Sequence, residues 1–237
     1  MINGRRQTRR YVLGDYLASN VAWFLFNIVR FHFPGIVAGG SLKAYLLSLR
    51  VIEGQIIFPL LMMGVYYLSG YYNQPFFKSR IQEFVQTLGS VLVNTLLIFF
   101  IALINDVLRI RIDNYELLLL LYALQFVCVY TVRAAITGNA TTLIHQGKWQ
   151  FNTFIIGCGP KAVKQMRELY EPRQALGYRI VGFIRVNDET PAPEVADRTY
   201  PIEELPRLCR EMKIQELIVA PEEDNLVELH RLINTLY

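Results

Sequence analysis

The stretch FIIGCGPKA, residues 154–162, joins an apolar run to a helix-forming segment through two glycines and a proline. The apolar run 151–156 predicts a buried strand, and the proline in the first turn predicts a helix over 160–170. The same alternation continues to the end of the sequence, which predicts a parallel α/β sheet wound right-handedly. The further elements are strands at 178–184 and 216–220 and helices at 202–212 and from about 221 onward. Three strands make only half of a doubly wound domain, so we expect a partial, truncated Rossmann-like module over 151–237.

The glycine turn has the spacing of a dinucleotide fingerprint, with Gly157, Gly159 and Ala162 in the Gly-x-Gly-x-x-Ala order. The first glycine allows a tight turn, the second lets a phosphate approach the backbone, and the small third residue lets helix and strand pack closely. An NAD site also needs an acid at the end of the second strand, where Arg185 stands instead. Two interpretations stay open. The turn binds a nucleotide through these four residues, or it is kept for packing alone.

Four long apolar segments precede this module and predict a four-helix transmembrane region over 1–136. Their bounds are about 11–33, 51–72, 84–104 and 115–136. The segment 84–104 is an uncharged run of 21 residues. At a rise of about 1.5 Å per residue it crosses a hydrocarbon core of about 30 Å. Bulky residues rather than a cleavage site follow the first segment, so it is predicted to be an anchor and not a signal peptide.

Charge supports a membrane orientation and not a nucleic-acid partner. Residues 1–140 hold 12 Lys and Arg against 6 Asp and Glu, whereas the rest holds 12 against 14. The basic excess therefore lies beside the apolar segments, where topology and anionic headgroups explain it. The cluster Arg5, Arg6, Arg9 and Arg10 favours cytosolic termini. The polar stretch 137–150 is predicted to be a linker.

The remaining polar residues have structural explanations. Asp15 and Glu53 lie near segment ends, so an interfacial position is predicted, with lipid or partner contact as the alternative. The acidic run Glu222, Glu223 and Asp224 follows Pro221 and is predicted to cap a helix start. The histidines and cysteines are dispersed, and we predict neither a metal site nor a catalytic residue; they are His32, His145, His230, Cys128, Cys158 and Cys209.

The order of these segments resembles the N-terminal half of bacterial sugar transferases, the polyprenyl-phosphate glycosyl-1-phosphate transferase family. The likeness rests on RRQTRRYVLGDYLASNVAWFLFNIVR at the start, GKWQFNTFIIGCGPKAV, LGYRIVGFI, and PIEELPRLCREMKIQELIVAPEE. It covers nearly the whole chain. Members of that family move a sugar-1-phosphate from a UDP-sugar to undecaprenyl phosphate and so begin exopolysaccharide, capsule or O-antigen synthesis.

The resemblance implies that membrane anchoring and catalysis belong to different segments of the protein. Catalysis in that family belongs to a C-terminal domain that uses Mg²⁺, and no segment here matches that domain. We therefore expect a membrane-anchoring and regulatory part, inactive alone and without a cofactor of its own apart from a nucleotide at the glycine turn. Undecaprenyl phosphate and UDP-sugar would be partners through the missing domain, and polysaccharide-assembly proteins are further candidates. The expected location is the bacterial cytoplasmic membrane, crossed several times, with both termini in the cytosol.

Two alternatives stay open. The membrane-bound nucleotide-sugar 4,6-dehydratases look similar over the same region, with four spans before a Rossmann-like module. A membrane sensor or scaffold with a nucleotide-binding module is the non-enzymatic alternative.

Overall fold

The computed structural model describes residues 4–33, 40–73, 76, 80–103, 113–171, 176–186 and 189–222. The chain divides into a helical unit, Asn3–Ala140, and an α/β unit from Thr141 onward. Each unit is taken separately below.

The described residues of the helical unit form five helices, the last of which continues past Ala140, and four of the five are long and apolar enough to cross a membrane. The bounds are α1 Gly4–Phe31, α2 Leu42–Leu46, α3 Leu49–Leu68, α4 Arg80–Ile98 and α5 Asp113–His145. A π-helical turn, Phe99–Leu103, continues α4. The short α2 begins at Ser41, whose hydroxyl accepts a hydrogen bond from the Ala44 N–H. The prediction of four long apolar helices is thus confirmed, with each helix beginning a few residues earlier than its predicted segment.

The polarity of this unit is the reverse of that of a water-soluble bundle. On α1, Leu13 and Leu17 are 63% and 62% exposed, whereas Asp15 and Ser19 are fully buried. Apolar side chains on the outside suit a lipid solvent. Polar groups inside must bond to one another, because hydrocarbon offers them no partners.

A buried ion pair between α1 and α5 lies at the centre of this interior. Arg133 donates from Nε to Oδ1 of Asp15 and from Nη2 to Oδ2, both at 2.8 Å, and from Nη1 to Thr87 Oγ1 at 3.0 Å. Its guanidinium carbon lies 3.6 Å from the ring centroid of Tyr71 and 4.4 Å from that of Tyr66. Two parallel hydrogen bonds to one carboxylate are the strongest geometry that an arginine offers. The guanidinium is therefore held by two carboxylate bonds, a hydroxyl and two aromatic faces.

A second carboxylate extends the network along α4. Glu83 Oε1 accepts hydrogen bonds from Tyr71 Oη at 2.6 Å and from Thr137 Oγ1 at 2.7 Å. Tyr72 Oη donates to Asp15 Oδ2 at 2.8 Å. The network therefore joins α1, α4 and α5 to the segment that follows α3.

These contacts correct three interpretations of the sequence. Asp15 is not interfacial, because it is buried and paired with Arg133, whereas Glu53 is exposed near the start of α3. Arg133, which the predicted segment 115–136 places near the end of a span, belongs instead to the buried network. The stretch 137–150 is not simply a linker, because α5 continues to His145. Its threonines and alanines are compatible with a helix, and the glycine that ends the helical run is Gly147, in the left-handed region at φ 69°.

The α/β unit contains a four-stranded parallel sheet in the order β3-β2-β1-β4. The strands are β1 Phe151–Ile156, β2 Tyr178–Arg185, β3 Thr199–Pro201 and β4 Glu216–Val219. The helices are α6 Pro160–Tyr170 and α7 Leu205–Glu211, the latter preceded by a 3₁₀ turn at Ile202–Glu204. This is the order of the first four strands of a Rossmann fold, whose strand order reverses between β1 and β4.

The expected count of three strands was wrong. The missed strand, β3, has three residues, ends in proline and pairs only with β2, so it carries neither an alternating pattern nor an apolar run. Of the helix predicted from about residue 221, Pro221 and Glu222 are described and the rest lies outside the described residues, with Glu223, Asp224 and His230.

Candidate nucleotide site at the glycine turn

The glycine turn lies where the carboxyl ends of β1 and β4 meet. Gly157 has φ 118°, a left-handed value, and its N–H donates to the Ile184 carbonyl at 2.8 Å. A Cβ on Gly157 would collide with the carbonyl oxygen of Ala220, directly after β4. Because backbone cannot rotate aside as a side-chain tip can, only glycine fits this position.

The beginning of α6 follows directly. Gly159 is its N-cap and Pro160 its first residue, so no side chain of the turn itself caps the free N–H groups. Ala162 is fully buried against the sheet, as expected of the small third residue of the fingerprint. Arg185 is the exposed last residue of β2. The structure thus brings the predicted residues Gly157, Gly159 and Ala162 to one turn and places Arg185 at the same edge of the sheet.

Two glutamates hold the amide groups of this turn. Glu222 Oε1 accepts a hydrogen bond from the Lys161 N–H at 2.5 Å, and Glu189 Oε2 accepts one from the Cys158 N–H at 3.0 Å. The other oxygen of Glu189 accepts the N–H of Glu222 at 2.7 Å. The two carboxylates therefore occupy N–H donors in the turn and at the beginning of α6, and donors of this kind bind anions at helix N-termini.

Glu222 does act as a helix cap, but for a different helix from the one expected. The sequence places it at the start of its own helix, whereas its carboxylate caps α6, 61 positions away. Glu189 was missed altogether. It lies four residues beyond the end of β2 in an irregular loop, where no periodicity singles out one acid among several.

The pKa of the Cys158 thiol is raised by burial and by the negative charge of this site. Its side chain is fully buried, and its Sγ lies 3.7 Å from Oε2 of Glu189. Burial first, and the Glu189 carboxylate second, raise the pKa of this thiol to about 11, while the charge of Arg185 acts in the opposite direction. The thiol is thus protonated at neutral pH and is not a poised nucleophile.

Within the described residues, no group of three or more His, Cys, Asp and Glu side chains is arranged to hold a metal ion. His32 is near the end of α1, where its Nδ1 lies 2.9 Å from the Ile28 carbonyl, and His145 is exposed at the end of α5. The candidate chemistry of the turn, recognition of an anionic group by backbone N–H donors, rests on the bonds that Glu189 and Glu222 make there.

The fold and the turn together define a Rossmann-like module of the nucleotide-binding type that follows four membrane-length helices in the sequence. Comparison with protein families matches residues 67–237 to a CoA-binding domain family. The match covers well over half of the chain, and the chain belongs to this family. The comparison with curated proteins finds no match.

Proposed function

We propose that the chain is the membrane-anchoring and regulatory part of a bacterial sugar transferase. The enzyme would move a sugar-1-phosphate from a UDP-sugar to undecaprenyl phosphate and begin the synthesis of exopolysaccharide, capsule or O-antigen. The observation that carries the proposal is the extent of the family match. It starts at residue 67, near the end of α3, and runs through α4 and α5 into the α/β module. The match therefore includes two of the four membrane-length helices, α4 and α5, together with the Rossmann-like module, in the order that the sequence resemblance to these transferases requires.

The proposal gives each part a role. The four long helices would hold the enzyme in the cytoplasmic membrane, with the exposed Arg5, Arg6, Arg9 and Arg10 facing anionic headgroups on the cytosolic side. Sugar-phosphate transfer would belong to a separate, Mg²⁺-dependent catalytic segment. The chain alone would then release no UMP.

The α/β module would sense a nucleotide at the glycine turn. Gly157 and Gly159 would let a diphosphate approach the backbone, and Ala162 would hold α6 close to the sheet. Arg185 would contribute positive charge at the same edge of the sheet. The bonds that Glu189 and Glu222 make to the turn support an anion-binding chemistry there.

The test is an in-frame deletion of codons 1–237 in the native bacterium. Its membranes are incubated with radiolabelled UDP-sugar and undecaprenyl phosphate, and UMP and the lipid-linked product are measured. We expect both to fall to background and to return when a recoded copy is restored at the same locus. The control is residues 1–237 in membranes that lack an initiating transferase, where we expect no UMP.

Unchanged product formation after the deletion would overturn the proposal. Loss of conversion of the UDP-sugar to a 4-keto-6-deoxy sugar, with transfer unaffected, would replace it by the dehydratase alternative. UMP release by residues 1–237 alone would refute the claim that catalysis lies elsewhere.

A further inference from the structure

Glu222 occupies the place in this fold where nucleotide ligands are usually bound. In open parallel sheets that place is the crevice at the carboxyl ends of the strands, where the strand order reverses. Here the reversal lies between β1 and β4, and Glu222 is the third residue after β4. Its carboxylate reaches back across the crevice to the Lys161 N–H at the beginning of α6.

The lack of a side chain at Gly159 makes room for this carboxylate. A Cβ on Gly159 would lie 2.5 Å from Cγ and 2.6 Å from Oε1 of Glu222. In nucleotide-binding turns the corresponding glycine leaves room for a phosphate. The internal carboxylate and a ligand phosphate would therefore need the same space and the same N–H donor.

The Glu222 carboxylate and a ligand phosphate are both negatively charged, so they cannot occupy the crevice together. A carboxylate bound to a helix N-terminus is stabilised both by a charge-assisted hydrogen bond and by the helix dipole. A diphosphate would lose that donor and would also meet the negative charges of Glu222 and Glu189 at short range. Glu222 is exposed, so its side chain can leave by rotation about its own bonds, without unfolding of α6 or β4.

We propose that Glu222 is an internal competitor of the anionic ligand, so that the glycine turn takes the diphosphate of a nucleotide only when this carboxylate swings out of the crevice. Glu189 remains on the Cys158 N–H. The module therefore has a closed state, capped by its own carboxylate, and an open state that accepts the ligand. This inference rests on the proposed binding of a nucleotide at the glycine turn, and not on the proposed transfer of a sugar phosphate.

The experiment measures binding of CoA and of ADP to the full chain in lipid nanodiscs by titration calorimetry. The variants are Glu222→Ala, which removes both charge and acceptor, and Glu222→Gln, which keeps a neutral acceptor. The matched control for Glu222→Gln is Glu168→Gln, which makes the same change in net charge at an exposed acid on α6, the helix that Glu222 caps. We expect Glu222→Ala to bind both probes about tenfold more tightly than wild type, or about 1.4 kcal/mol. Glu222→Gln should be intermediate, and Glu168→Gln should match wild type.

Hydrogen exchange of the Lys161 amide gives an independent measurement. We expect this amide to exchange faster in Glu222→Ala than in wild type and to slow again when CoA is added. Exchange in β1 should stay unchanged, which shows that the module is folded.

An affinity that stays the same or falls in Glu222→Ala overturns the proposal. The proposal also fails if no variant binds CoA or ADP, because removal of a competing carboxylate should leave a site that binds the ligand. The transferase test reads membrane activity and not nucleotide affinity, so the two proposals can fail separately.

Discussion

Replacing Arg133 by methionine should destabilise the helical unit more than any other single change in its interior. The substitution removes two hydrogen bonds to Asp15, one to Thr87, and the stacking of the guanidinium on Tyr71 and Tyr66. It leaves a buried carboxylate whose remaining hydrogen bond comes from a tyrosine hydroxyl. Breaking a buried ion pair in this way typically destabilises by about 3–5 kcal/mol. We expect a loss of about 4 kcal/mol, a thousandfold change in the folded-to-unfolded ratio.

The design is a double-mutant cycle with Asp15→Asn, Arg133→Met and the double variant, and the free energy of unfolding is measured by steric trapping in bicelles. Each single variant leaves one unmatched polar group, whereas the double variant removes both charges. We therefore expect the double variant to be more stable than Arg133→Met, with a coupling energy of about 3 kcal/mol. The control Arg50→Met changes an exposed arginine near the start of α3 and should alter stability by less than about 0.5 kcal/mol.

Additivity of the two single effects would refute this reasoning, as would a loss of less than about 1 kcal/mol in Arg133→Met. Neutral hydrogen bonds between membrane helices average only about 0.6 kcal/mol. Thr87→Ala removes a hydrogen bond from the same guanidinium to an uncharged acceptor, so its effect on stability is the reference for a contact without a second charge. The coupling energy of the Asp15–Arg133 pair has to be several times the loss of stability in Thr87→Ala.

Four further outcomes concern the α/β unit. Gly157→Ala should destabilise it by about 2–3 kcal/mol in urea unfolding, because the new Cβ meets backbone at a left-handed φ; a change below about 0.5 kcal/mol would contradict this. Gly159→Ala should destabilise by less than about 1 kcal/mol, because the three atoms nearest to its Cβ all belong to the movable side chain of Glu222. A loss as large as that of Gly157→Ala would show that this side chain is fixed. Burial first and the Glu189 carboxylate second raise the pKa of Cys158 from 9.0 to about 11, so this thiol should resist iodoacetamide at pH 8. Glu189→Gln should speed its alkylation, and equal rates in the two proteins would refute the contribution of Glu189. Because the folded thiol keeps its proton longer than the unfolded one, this group's contribution to stability should fall as pH rises from about 9 to about 11.

The parts of the fold that could be predicted are those whose signal is local. The bounds of β1 and α6 agree with the sequence prediction, because an apolar run, two glycines and a proline mark each transition. The long apolar helices were predictable from length and hydropathy. The three-residue β3 was not, because its place in the sheet comes from pairing with β2 and not from its own composition.

The sequence of α5 contains a pattern that indicates the buried polar network, but this pattern has two interpretations. On α5, buried Gln125, Arg133 and Thr137 lie at spacings of four and eight residues, so they share one face. A polar stripe on an apolar helix indicates a buried network in lipid. A single arginine near the end of an apolar segment, however, is equally typical of a loop charge. What decides between them is Asp15, 118 positions away.

The same physical requirement governs the charged groups of both units. In the helical unit a guanidinium without water requires a carboxylate, and in the α/β unit the uncapped N–H groups of α6 require an acceptor. In both units the partner is an acid that is distant in sequence, but the two acids differ in how firmly they are held. Asp15 is buried and held by three side-chain donors, so it can leave only with the loss of the bundle's packing. Glu222 is exposed, and in the part of the chain that the structure describes its carboxylate accepts a hydrogen bond from the Lys161 N–H, so under our proposal an anionic ligand would replace it. Burial and the number of donors, and not residue type, would then separate a charge that completes a fold from a charge that regulates a site.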